Sequence, residues 1–319
     1  MESITLPQIA TYVSYVFVVI VYTVKVWKYF KIPKGVRWEL YPVATEGAHK
    51  FRYGGSYFEE PEFWTKPRKK SVAMGIWEMA KKYLTMWGYF VRVRSYWFGL
   101  YPWHIGFYLI VLFHGLALLG AIFIKTAGLE IAGVSDSLGG QILYYGTIVV
   151  ALGSFILGTI GSIVLLIKRT VDKDLRDYTS PQNYFNYVFF LAVFVSGLIS
   201  YAVTGGTFNG YREFWVGLIS LKGVAVQPAE YVHIMLFSLF LIYLPFTRST
   251  HYITKLLAYF KVRWDDEPHY GSPEADEKLS EVLRWRVSWA APHIQTGQSW
   301  GEVVTNIPSA ESEEGKRKG

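Results

Sequence analysis

The chain has 319 residues, 51% of them apolar and 18% aromatic, with a formal charge of +7 and no cysteine. The lack of cysteine excludes thiolate-held iron–sulfur clusters, disulfides and thioether-attached c-type haem, so any metal here takes imidazole or oxygen ligands. The surplus charge does not point to nucleic acid, because the basic residues flank apolar runs.

Five apolar runs read as transmembrane spans, for which roughly 20 helical residues suffice. They cover residues 9–24, 101–124, 142–167, 184–203 and 231–246. Gly, Ser and Thr recur inside them, as where transmembrane helices pack closely. The start, Met1-Glu2-Ser3, has no basic n-region, so the first span reads as an uncleaved anchor and residues 1–28 as the first transmembrane helix. Residues 29–100 read as a cytoplasmic segment, Gly- and aromatic-rich over 37–64 and irregular or short-stranded there. In its second half Val72, Ile76, Met79, Tyr83, Trp87 and Phe90 recur at helical spacing beside Lys81, Lys82, Arg92 and Arg94. That pattern predicts an amphipathic helix at the membrane face. Residues 101–250 hold spans two to five, and 251–319 form a cytoplasmic tail with a helix over 274–289 and a disordered polar end at 309–319. The fold class expected is all-α and integral to the membrane, a five-helix transmembrane bundle.

Lys and Arg set the orientation. Residues 25–100 carry 15, residues 168–183 carry 4 and the tail from 248 carries 10, against 3 (Lys125, Arg212 and Lys222) on the other side. The N-terminus is expected outside and the C-terminus in the cytoplasm, in the cell membrane.

Seven histidines are present. His49, His269 and His293 fall in soluble segments and read as surface or docking residues. His104, His114, His233 and His251 lie in or at the ends of spans two and five, where ionisable groups are costly and functional. Antiparallel packing of these spans levels His114 with His233 near the outer face and His104 with His251 near the inner face. Two imidazoles at each level complete the axial ligation of a haem iron and leave no open position. Zinc or copper requires three or four ligands at one point. The spacing carries a strain. The 10 residues from His104 to His114 rise about 15 Å and the 18 from His233 to His251 about 27 Å. A bend at Pro245 is expected to absorb the difference. Gly106 and Gly115 leave room either for a flat macrocycle or for a neighbouring helix. Arg248, Lys168, Arg169, Arg92 and Arg94 lie at the inner level, as haem-propionate partners or as ordinary positive-inside residues.

Five spans with histidines 10 apart on the second and 18 apart on the fifth resemble the gamma subunit of respiratory nitrate reductase. The resemblance implies two haem b, one on His114 and His233 and one on His104 and His251. It also implies a quinol site near the outer haem, for which Lys125, Glu130, Asp136, Gln141, Tyr144, Arg212 and Glu213 are candidates, Lys125 alternatively snorkelling at the interface. The long segment between spans one and two departs from that subunit and is similar to the DsrM/HmeC branch, the membrane subunits of DsrMKJOP-type, heterodisulfide-reductase-like menaquinol complexes of sulfur metabolism. That branch implies menaquinol as substrate, a cytoplasmic iron–sulfur partner of the DsrK/HdrD kind and further membrane or extracytoplasmic redox subunits. Trp264, Trp285, Trp289 and Trp300 suit the docking surface for such a partner. The alternatives are a nitrate reductase gamma subunit proper or a haem-free membrane anchor or transporter. A transporter predicts midplane polar groups and inverted repeats, and neither is visible.

Overall fold

The computed structural model describes residues 3–31, 43–46, 60–67, 70–247, 251–259, 273–291, 294 and 296–305. His49, Arg248, Trp264, His269, His293, the polar end 309–319 and most of 37–64 lie outside the described residues. The chain divides into two compact units, one of Met1–Phe30 and Ile76–Leu257, the other of Lys31–Gly75 and Ala258–Gly319.

The first unit is a helical bundle. In chain order its helices are α1 (Leu6–Lys31), α2 (Val72–Thr85, whose start belongs to the other unit), α3 (Trp87–Arg92), α4 (Arg94–Ala127), α5 (Leu138–Val171), α6 (Lys173–Asp177), α7 (Pro181–Val203), α8 (Asn209–Ser220), α9 (Pro228–Tyr243) and α10 (His251–Ala258). A 3₁₀ turn, Leu244–Phe246, continues α9. Helices α1, α4, α5, α7 and α9 with its turn are long and apolar enough to cross a membrane, matching the five expected spans. Their outer faces carry exposed Val13, Val16, Val19, Val149, Ile160 and Val188, as lipid-facing helices do. Caps mark the ends. Gly128, at φ 62°, stops α4 and returns its N–H to Phe123, Ser137 Oγ accepts from Gly140 N at the start of α5, and Gln227 and Glu230 form a capping box around Pro228 at the start of α9.

Small residues set the helix spacing. A Cβ on Gly106 of α4 would lie 2.5 Å from the backbone nitrogen of Gly158 on α5, and one on Gly161 would lie 2.4 Å from that of Trp103. Ser154 Oγ donates to Gly106 O at 2.8 Å across the same seam. The α4 and α5 backbones therefore nearly touch, the small-residue mode of transmembrane packing. Gly106 is a helix-packing glycine, whereas Gly115 has nothing within 4 Å of a built Cβ. Phe155 and Phe194 fill the seam between α5 and α7 by lying on Gly197 and Gly158. Tyr243 OH donates to Asn186 Oδ1 at 2.7 Å, holding α9 antiparallel to α7.

Helix α1 runs parallel to α9. At one end Gln8 Nε2 donates to Lys222 O at 2.8 Å and Tyr12 OH donates to Leu218 O. At the other, Lys25 Nζ donates to Pro245 O.

The amphipathic stretch expected over 72–90 is two helices. Met86, at φ 48°, takes the left-handed conformation between α2 and α3. Val72, Ile76, Trp77 and Leu84 of α2 are exposed apolar residues, and Lys81 pairs with Glu78 at 2.5 Å. In the second unit, the helix expected over 274–289 is α11 (Pro273–Leu283). It stops earlier because the chain turns, with Trp285 N bonding Val282 O, and then Arg286 bridges Ser299 before α12 (Trp300–Thr305). Trp289 and Trp300 pack with centroids 6.2 Å apart.

Gly161→Val should cost about 1–3 kcal/mol or prevent accumulation, because the clash is with backbone that cannot move aside, whereas Gly115→Ala should be tolerated. Membrane abundance and thermal unfolding in detergent read the contrast.

Candidate functional site

The four transmembrane histidines gather at two levels between α4 and the α9–α10 segment. At one level the rings of His104 and His251 have centroids 6.2 Å apart. At the other, His114 and His233 share one aromatic wall. Phe237 stacks on His114 at 3.7 Å and lies 6.5 Å from His233. Tyr211 stands 5.9 Å from His114 and 6.5 Å from His233, and Phe155 meets His233 edge-on at 5.3 Å.

The spacing conflict between the two helices is resolved by a break. Residues 233 and 251 do not share one continuous helix, so the rise of about 27 Å for 18 helical residues does not apply. α9 ends at Tyr243, the Pro245 turn tightens to 3₁₀, Thr247 is extended, and His251 begins α10. Proline removes an N–H donor and crowds the preceding turn, so the distortion falls where the sequence places Pro245.

Hydrogen bonds fix three of the imidazoles. His104 Nδ1 bonds Leu100 O and His114 Nδ1 bonds Ile110 O, each at 2.8 Å and each one helical turn back. A carbonyl only accepts, so both Nδ1 atoms carry the proton and both Nε2 atoms keep a lone pair. His233 reaches the same tautomer by a relay. Ser196 Oγ donates to Val193 O at 2.8 Å, so its contact of 3.0 Å with His233 Nδ1 is one in which the imidazole donates. Nε2 of both His114 and His233 is buried with no hydrogen-bond partner. Leaving a buried nitrogen unsatisfied costs about 1–3 kcal/mol. A metal-binding histidine has this same layout, with one ring nitrogen held by a neighbouring group and the other free for the metal. Among the described residues no three His, Asp or Glu side chains converge on a point, so the pairs themselves are what a metal would meet.

Helix α8 closes the His114–His233 level. Tyr211, Phe214, Trp215 and Leu218 are buried, and the Trp215 ring lies 6.4 Å from His114. This stretch lies between the fourth and fifth apolar runs of the sequence. Its spacing of i, i+3, i+4 and i+7 is an amphipathic-helix signal, overlooked because 12 residues are too few to span a bilayer. Phe155, Phe237 and the buried acid Glu230, whose Oε2 accepts from Gln227 N at 3.1 Å, carry no such signal in the sequence. At the other level Lys255, four residues after His251 on α10, is near enough to act electrostatically on His104. That i, i+4 spacing was legible in the sequence.

The charged candidates separate. Arg169 is held in a clasp, Nε donating to Tyr187 OH at 3.1 Å, Nη1 to Thr179 Oγ1 at 3.0 Å and Nη2 to Tyr96 OH at 2.7 Å. Lys168 beside it is partly exposed. Lys125, Glu130, Asp136 and Glu213 are exposed. Gln141 Nε2 donates to Ser135 O at 2.7 Å within its own loop. Arg212 is buried, with its guanidinium 4.9 Å over the Tyr144 ring. Of the quinone candidates the structure thus brings Tyr144 and Arg212 together, and no hydrogen bond or ion pair links Lys125, Glu130 or Asp136 to them.

The Arg169 clasp ties α4, α5 and α7, so Arg169→Ala should lower the thermal stability of the detergent-solubilised protein by about 1–3 kcal/mol. Arg169→Lys should restore little of it, since an ammonium lacks the planar fork.

A family model described as nitrate reductase gamma subunit matches residues 84–265, more than half of the chain. No curated protein and no solved structure matches.

Proposed function

The chain belongs to the nitrate reductase gamma subunit family, the membrane cytochrome b subunits of multi-subunit redox complexes, and from that premise we propose that it carries electrons between a quinol in the lipid and a cytoplasmic iron–sulfur subunit. The family binds haem b, and the residues fit that group: paired imidazoles with buried, unsatisfied Nε2 atoms whose Nδ1 protons are already engaged. This is the observation that carries the reading. When bound, two haem b groups supply one-electron carriers at two depths of the membrane. His114 and His233 would hold one and His104 and His251 the other. Phe155, Phe237, Tyr211 and Trp215 exclude water from the first, and Lys255 would supply a cation near the second, for which the sequence also offers Lys168 and Arg248.

The 29 to 3 distribution of Lys and Arg supports an outside N-terminus and a cytoplasmic C-terminus, which makes His114–His233 the outer pair. The quinol would then be oxidised near the outer face, where Lys125, Glu130, Asp136 and Tyr144 are the groups available to bind it and take its protons. The segments Lys31–Gly75 and Ala258–Gly319 form one compact unit and would face the cytoplasm. Trp285 and Trp289 in it are exposed, as suits a partner-docking surface. The length of the stretch between the first two spans, residues 29–100, supports the DsrM/HmeC branch, with menaquinol as substrate and a DsrK/HdrD-like iron–sulfur partner in sulfur metabolism.

His114→Ala and His104→Ala should each remove one b-type component from the reduced-minus-oxidised spectrum while keeping the other. If each variant retains both components, the ligand pairing fails.

A further inference from the structure

Arg212 is 4% exposed. Its Nη1 donates to Asn209 Oδ1 at 2.6 Å and its Nη2 is buried with no hydrogen-bond partner. Its face lies over the Tyr144 ring. Among the described residues no carboxylate forms an ion pair with it. The buried acid Glu230 sits against Gly210 and accepts from Gln227 N in its own capping box. An arginine stays charged at every accessible pH, and a buried cation without an anion is strongly unfavourable. A neutral amide and a ring face do not offset a full charge. The site therefore asks for an anionic oxygen group to fill the open side of the guanidinium.

The place of Arg212 narrows the identity of that group. It follows Tyr211 directly on α8, and the Tyr211 ring lies 5.9 Å from that of His114 and 6.5 Å from that of His233. A quinone or quinol is neutral and leaves the charge uncompensated. A haem propionate is a permanent carboxylate, and the guanidinium fork matches a carboxylate in geometry. We infer that Arg212, stacked on Tyr144, is the propionate-binding cation of the haem held by His114 and His233. This rests on the dihaem reading above and takes Arg212 out of the quinone site.

A cation at the propionate stabilises the reduced haem, so removing it should lower the midpoint potential. The test is a redox titration of the full-length protein in membranes, wild type beside Arg212→Gln and Arg212→Met, with His114→Ala identifying the outer component. The expected result is a downward shift of the outer component alone, with thermal stability of the haem-loaded protein reduced. Unmoved potentials at full haem content overturn the inference, and so does a loss of quinone-analogue binding with both potentials unmoved. A rise in stability for Arg212→Met also overturns it, because that is the signature of an uncompensated buried charge relieved by an apolar side chain. Arg212→Met fits an apolar surrounding and serves if Arg212→Gln does not accumulate. Wild type lacking b-type bands would instead sink the dihaem reading itself.

Discussion

The site depends on one local constraint: a histidine in a transmembrane helix spends its Nδ1 proton one turn back on its own backbone. His104 and His114 do this through Leu100 O and Ile110 O, whereas His233 gives its proton to Ser196 on the neighbouring helix α7. A helix in lipid has few other partners to offer, since its own backbone consumes nearly every donor and acceptor. Once Nδ1 is committed, the ring orientation is set and the Nε2 lone pair is directed away from the helix that bears it. Tautomer, direction and ligand capacity all follow from one hydrogen bond of ordinary length.

The packing around this constraint serves to keep it rigid. The glycine seam between α4 and α5 brings two backbones into contact and fixes the helix that carries His104 and His114. The Phe155–Gly197 and Phe194–Gly158 contacts extend that seam to α7, which supplies Ser196. Two arginines of the bundle illustrate opposite uses of one side chain. Arg169 donates from all three of its nitrogens to Tyr96, Thr179 and Tyr187 and acts as a clasp. Arg212 keeps an unused Nη2 in a buried position, which marks it as a binding group.

The spans and the four histidines were legible in the sequence because lipid imposes a length and a polarity that no soluble context mimics. The pairing of His104 with His251 followed from topology alone, and the ring contact agrees with it. Pro245 announced the distortion of span five, but the restart of a separate helix at His251 depends on the extended Thr247, which no residue type dictates. Met86 broke the amphipathic stretch for a similar reason, since a left-handed methionine has no local signal. Helix α8 does not stand out in the sequence because its 12 residues are too few to cross a bilayer. The burial of Arg212 is a tertiary fact, created by α8 folding onto α4. Arg248 and the three soluble histidines lie outside the described residues.

The central claim is that this single chain, through two levelled histidine pairs, holds two haems with both axial positions taken. Haem extraction against protein concentration, combined with low-temperature electron paramagnetic resonance of the purified wild-type protein, tests it most directly. The account predicts two haem b per chain and two low-spin ferric signals of bis-imidazole type. A ratio of one or none, or a high-spin signal that marks an open iron position, would contradict it.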